Sequence, residues 1–145
     1  MYEYSRGVFY YETDQMGVVH HSNYIRWLEE ARTEFFDEMN LAYTVTESYG
    51  VFSPVTDINI KFKLSARFGD RFTVRLRMIQ YTGVRFRVKY TVVNQNEEIL
   101  VEGESGHAFI NTEHKPVSLS RAIPHRHELM KALLEKHLAA SFDAN

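Results

Sequence analysis

The sequence predicts an α+β domain in which an antiparallel sheet wraps one central helix. A long helical segment has an apolar arc too wide for an ordinary surface helix. Four later segments alternate apolar and polar residues with a period of two, and hairpin-length connections make them antiparallel neighbours. One apolar sheet face must be covered, and the wide-arc helix is the cover available. The 145 residues contain no linker, repeat or low-complexity stretch, so residues 1–145 read as a single domain.

Residues 2–11 are rich in Tyr, Phe and Val and read as a strand. A turn over residues 12–22 follows. The central helix is expected from about Asn23 to about Asn40, with Ser22 or Asn23 as N-cap. Its apolar members, Tyr24, Ile25, Trp27, Leu28, Ala31, Phe35, Phe36 and Met39, fill an arc of roughly 180° at 100° per residue. Arg32 falls inside that arc and Glu29 at its edge, three residues apart, so a structural pair is expected. A short helical turn is expected over residues 44–50.

From Val51 the period becomes two. Ile58, Ile60, Phe62 and Leu64 share one face, then Phe72, Val74, Leu76 and Met78, then Val84, Phe86, Val88 and Tyr90. The turns between them are Phe68-Gly69-Asp70, Gln80 to Gly83, and Asn94-Gln95-Asn96. A last strand spans about residues 98–110. Pro124 opens a C-terminal helix whose stripe is Leu129, Met130, Leu133, Leu134 and Leu138, with a frayed tail beyond.

Hydrophobic residues make up 44% of the chain and aromatics 14%, enough for a sizeable core. There is no Cys, which removes disulfides, thiolate metal sites and a Cys nucleophile together, and fits a reducing cytoplasm. No apolar h-region or membrane-length run is visible, so a cytoplasmic address without a membrane span is expected. The net charge of −2 gives no bulk attraction to nucleic acid.

The chemistry concentrates between Tyr10 and Arg32. Asp14 follows the first strand, Gly17 can supply a backbone angle other residues resist, and His20 and His21 precede a helix start. A carboxylate is thereby set beside unpaired N–H groups and the positive end of a helix dipole. That is minimal equipment for a hydrolase; the bland alternative is a strand–loop–helix connection capped by Asp14. Glu12 and Glu30 are alternative carboxylates, with Glu30 on the polar side of the helix. No third ligand joins His20 and His21 at metal-site spacing, and His114, His125 and His127 are scattered, so no metal is expected. Ser22 lacks a nucleophile-elbow pattern.

Alternation also gathers Arg71, Arg75 and Arg77 on one strand's polar side and Arg85, Arg87 and Lys89 on its neighbour's. Such a face is neutralised by Glu102 and Glu104, or by a bound polyanion, or is simply solvated.

The run Thr13-Asp14-x-x-Gly17-Val18-Val19-x-His21-x-Asn23-Tyr24, continuing to Glu29-x-Ala31-Arg32, resembles the signature of hot-dog-fold acyl-CoA thioesterases. The likeness is to the 4-hydroxybenzoyl-CoA thioesterase type and, within it, the Tol–Pal-associated branch. It implies a five-stranded antiparallel sheet around the central helix, plus a C-terminal helix, in domains that pair into dimers and often tetramers. It implies that Asp14 is the catalytic carboxylate and that the backbone N–H at His21 polarises the thioester carbonyl. Gly17, Val18 and His20 on the loop are candidate substrate-binding residues; the aromatic positions of the helix read as core, with Tyr24 and Trp27 the two placed to reach a substrate tail. Arg85, Arg87 and Lys89 loosely match the region that the resemblance gives to the CoA phosphates. No cofactor is implied, since coenzyme A is part of the substrate. His20 departs from the Tyr common at its position, which alters the shape of the acyl pocket. Rival readings are a hydroxyacyl-thioester dehydratase, which Asp14 in its T-D-x-x-G setting argues against, a hydrolase of acyl-carrier-protein thioesters, and a non-catalytic module binding acyl-CoA or acyl-carrier protein.

Overall fold

The computed structural model describes residues 1–143. Strand β1 (Tyr2–Gly7) leads through a 3-10 turn (Tyr10–Glu12) into helix α1 (His21–Glu38) and a short α2 (Tyr43–Ser48). Four strands follow: β2 (Val55–Phe62), β3 (Arg71–Tyr81), β4 (Arg85–Val93) and β5 (Ile99–Ala108). The chain closes with α3 (Leu119–Ala122) and α4 (Pro124–Asp143). Past Leu138, where fraying is expected, α4 continues to Asp143, and the remainder of the tail lies outside the described residues.

The five strands form one antiparallel sheet in the order β1-β3-β4-β5-β2. β3 and β4 alternate as the period-two pattern requires: Phe72, Val74, Leu76, Met78, Phe86, Val88 and Tyr90 are all buried. They face α1, whose Trp27, Leu28, Ala31, Phe35 and Phe36 are buried in turn. Trp27 lies flat on Phe72, with ring centroids 3.7 Å apart and planes 8° from parallel. The antiparallel sheet around one helix is the hot-dog fold.

Three expectations need correction. β1 stops at Gly7, where its pairing with β3 ends, and the chain folds into the 3-10 turn instead of extending to residue 11. The cap of α1 is His20, not Ser22 or Asn23: its Nδ1 accepts the Ser22 N–H at 3.2 Å, doing the work of a capping oxygen. Arg32 does not pair with Glu29. Its Nε and Nη1 donate to the Tyr43 and Tyr90 hydroxyls at 3.0 Å each. Phenols satisfy the buried guanidinium without bringing a second charge into the interior, whereas Glu29 stays exposed.

The edges behave differently. β1 begins at Tyr2, opposite Leu76, so β3 runs on past its neighbour. There the Met78 N–H donates to His137 Nδ1 of α4 at 2.8 Å, so the last helix completes a hydrogen bond that no strand supplies. β2, at the other edge, buries little. Ile58 is 39% exposed, Phe62 49%, and Val55 and Leu64 48% each. The apolar face read for this strand therefore exists but is not covered within one chain.

Candidate active site

The loop from Glu12 to His20 is stitched to its surroundings by backbone bonds. Asp14 N–H donates to Val18 O at 2.9 Å and Gly17 N–H to Asp14 O at 3.0 Å, with Gly17 at φ +75° as the turn demands. Val19 N–H reaches Ala66 O at 2.9 Å, tying the loop to the β2–β3 connection. Inside this turn the Asp14 carboxylate uses one oxygen only: Oδ1 accepts from Met16 N–H at 2.8 Å and Val18 N–H at 3.2 Å. Oδ2 has no hydrogen bond among the described residues. The carboxylate is thus held at one end and open at the other.

His21 is the first residue of α1, so its N–H has no acceptor within the helix. The neighbouring donors are spoken for: His20 N–H bonds Glu12 O, Ser22 N–H bonds the His20 ring, and Asn23 N–H bonds His20 O. The His21 N–H therefore remains for a ligand at the positive end of an 18-residue helix.

A cavity of about 290 Å³ joins these groups. Asp14, His20, His21 and Tyr24 line one side, and Phe62, Lys63, Leu64 and Ser65 the other. Tyr24 is buried, with its edge toward Phe62, and its hydroxyl accepts the Ala66 N–H at 2.8 Å. A larger cavity of about 600 Å³ opens farther along α1 and β2, where Glu29, Arg32, Tyr43 and Val55 contribute to its wall.

Of the residues read from sequence, the fold brings Asp14, His20, His21 and Tyr24 together. Gly17 and Val18 shape the loop without lining the cavity. Trp27 is fully buried against Phe72 and does not reach it. Arg85, Arg87 and Lys89 lie along β4, and none lines the Asp14 cavity. Arg87 is held by Asp57 at 3.0 Å and Glu104 at 3.7 Å, and Arg75 by Glu3 and Glu97, so carboxylates neutralise part of the basic face. The alternative carboxylates are committed elsewhere, since both Glu12 and Glu30 bind Arg6. Sequence reading missed Lys63, Leu64 and Ser65, because the hydrophobic alternation of β2 says nothing about what its far end meets.

A profile of the thioesterase-like superfamily matches residues 8–136. YneP of Bacillus subtilis, provisionally named an acyl-CoA thioesterase, is 36% identical over 121 residues, covering 83% of this chain and 88% of that protein. The acyl-CoA thioester hydrolase YbgC of Escherichia coli is 26% identical over 97 residues, covering 67% of this chain and 72% of YbgC. The structure of a DHNA-CoA thioesterase from Staphylococcus aureus superposes with a TM-score of 0.87 at 30% identity, covering 99% of this chain and 95% of that one. Sequence profile and backbone agree across nearly the whole domain, and this chain belongs to the thioesterase-like superfamily.

Proposed function

We propose that this chain hydrolyses acyl-CoA thioesters to free acid and CoA, with Asp14 as the reacting carboxylate and the His21 N–H as oxyanion donor. The observation that carries the reading is the pairing of an open Asp14 Oδ2 with an unspent helix N-terminal N–H on one cavity. Membership of the superfamily, with relatives named as acyl-CoA thioesterases and thioester hydrolases, supports the same chemistry.

A thioester carbonyl is electrophilic because sulfur donates weakly to it. Hydrolysis needs an oxygen nucleophile and a home for the developing oxyanion. The His21 N–H, reinforced by the helix dipole, meets that oxyanion. Asp14 Oδ2 acts in one of two ways. It attacks the carbonyl carbon, expelling the CoA thiolate and forming a mixed anhydride that water cleaves. Alternatively it takes a proton from water as that water attacks. Both routes leave Oδ1 bound to its two N–H donors throughout.

The acyl group is assigned to the Asp14 cavity, between the start of α1 and the end of β2. Tyr24, Phe62 and Leu64 on the wall of that cavity offer apolar surface to aromatic as well as aliphatic chains. The outer wall of the cavity is missing in one protomer. The exposed Val55, Ile58 and Phe62 on edge strand β2, with Leu64 just beyond it, support a homodimer built across that edge. CoA phosphates are assigned to Arg85, Arg87 and Lys89 by family resemblance, reached across a protomer boundary.

The test is free-thiol release from a panel of aromatic, short-chain and long-chain acyl-CoAs, beside Asp14→Asn and His21→Ala. The wild type turns over one class. Asp14→Asn loses nearly all turnover, while His21→Ala loses less, because a side-chain change leaves the backbone donor; loss of an oxyanion donor itself costs about 10² to 10³ in rate. Asp14→Asn working at near-normal rate would overturn the assignment. Acyl-CoA binding without turnover would favour a binding module.

A further inference from the structure

Glu12 lies two residues before Asp14 and is 3% exposed. Four donors converge on its carboxylate. Arg6 Nη1 and Nη2 each reach one oxygen at 2.8 Å, Phe9 N–H donates at 2.8 Å, and Trp27 Nε1 at 2.7 Å. Arg6 is itself fixed, with its guanidinium 4.1 Å from the Phe9 ring centroid and 5.0 Å from that of Phe72. The main chain of the same residue points the other way. Glu12 O accepts His20 N–H at 3.0 Å and Asn23 Nδ2–H at 2.9 Å, both at the start of α1.

One residue therefore grips two elements at three points. Its side chain holds β1 through Arg6 and the middle of α1 through Trp27. Its carbonyl holds the entry of α1, next to the His21 N–H. Its chain neighbours carry the turn that presents Asp14. A bidentate, buried ion pair with two further donors has little freedom to drift. Burial disfavours the charged carboxyl, yet the bonds from Arg6, Trp27 and the Phe9 N–H outweigh this and hold Glu12 below its ordinary value. The carboxylate thus stays ionised while it clamps.

We propose that Glu12 is the positioning residue of this site, setting the spacing between the Asp14 carboxylate and the His21 N–H through its buried bonds to Arg6 and Trp27 and its carbonyl at the start of α1. The proposal rests on the thioesterase reading above. Glu12 touches neither substrate nor reacting atoms. It acts by keeping acid and oxyanion donor in register, where a displacement near 1 Å costs about a hundredfold in rate.

Glu30 supplies the control. It binds the same Arg6, at 2.9 Å, but is 37% exposed and makes no bond to the Asp14 loop. Glu12→Gln and Glu30→Gln both weaken the ion cluster; only the first loosens the loop. Steady-state kinetics of the full chain, taken well below both melting temperatures, should separate them. Glu12→Gln is expected to lose about ten- to a hundredfold in kcat with KM within about twofold, because ground-state binding does not need the register. Glu30→Gln is expected to stay within about twofold of wild type in both. If Glu12→Gln does not fold, Trp27→Phe is read instead. It keeps the stack on Phe72, removes one donor from Glu12, and is expected to lose kcat several-fold at unchanged KM. Wild-type kcat in the folded Glu12 variant, or in Trp27→Phe where that variant fails, overturns the proposal. So does an equal kcat loss in Glu12→Gln and Glu30→Gln, which marks a common stability effect. A wild-type protein that releases no thiol from any acyl-CoA removes the thioesterase reading itself, a different result.

Discussion

At the scale of single residues, the turn around Asp14 depends on one backbone angle. Gly17 sits at φ +75°, and a Cβ added there would meet nothing within 4 Å. Crowding is therefore not the objection to a side chain; the left-handed angle is. Gly17→Ala is expected to cost about 1 kcal/mol in urea unfolding, the penalty of that angle for an L-residue. Because Gly17 N–H closes the turn onto Asp14 O, activity should fall with it. A carboxylate at Asp14 on a tight turn with Gly17, ahead of a helix N-terminus, was legible from residue type and order, while the roles proposed for Asp14 and His21 come from the family resemblance. The role proposed for Glu12 was not legible, because its partners Arg6, Asn23 and Trp27 lie 6, 11 and 15 positions away and meet only through the fold.

At the scale of elements, two buried imidazoles join helices and strands to the sheet. Burial pushes His107 down to about 4, with the Arg32 charge adding to the effect. It shares a hydrogen-bonded chain with Ser105 and Tyr90, while its Nδ1 is buried without a partner among the described residues. Burial likewise lowers His137 to about 4, helped by the N-terminal amine, Lys136 and Arg77. Both bases bind a proton more readily unfolded, near 6.5, than folded. Their stabilising contribution is complete above about pH 6.5 and falls as pH drops toward 4. Denaturant midpoints measured between pH 7 and 5, a window above most carboxylate titration, should decline with acid. His137→Asn should flatten that decline and lower stability at pH 7 by loosening the bond to Met78 N–H. The alternating strands and the wide-arc helix were readable because periodicity reports burial directly. The His20 cap and the phenol shell of Arg32 were not, since each depends on a partner that local pattern cannot specify.

At the scale of the whole molecule, the sheet has two edge strands, β1 and β2, with different surroundings. α4 closes the β3 overhang, whereas β2 presents apolar side chains and an unpaired backbone edge. Placing a charge in the middle of that edge, Ile58→Lys, is expected to shift the protein from dimer to monomer in light scattering and to reduce thioester turnover with it. A monomeric wild type would remove the homodimer proposal while leaving the chemistry at Asp14 intact. Sequence alternation announced an apolar face on this strand; it could not announce that much of this face stays exposed in one chain.

The bond from Met78 N–H to His137 bears on how the protein is made. Synthesis delivers His137 59 residues after Met78, once every strand of the sheet has been laid down. Until then the β3 overhang has a backbone donor with no acceptor. The strands can pair as they leave the ribosome, but the bond that closes the β3 overhang forms only once α4 has been made.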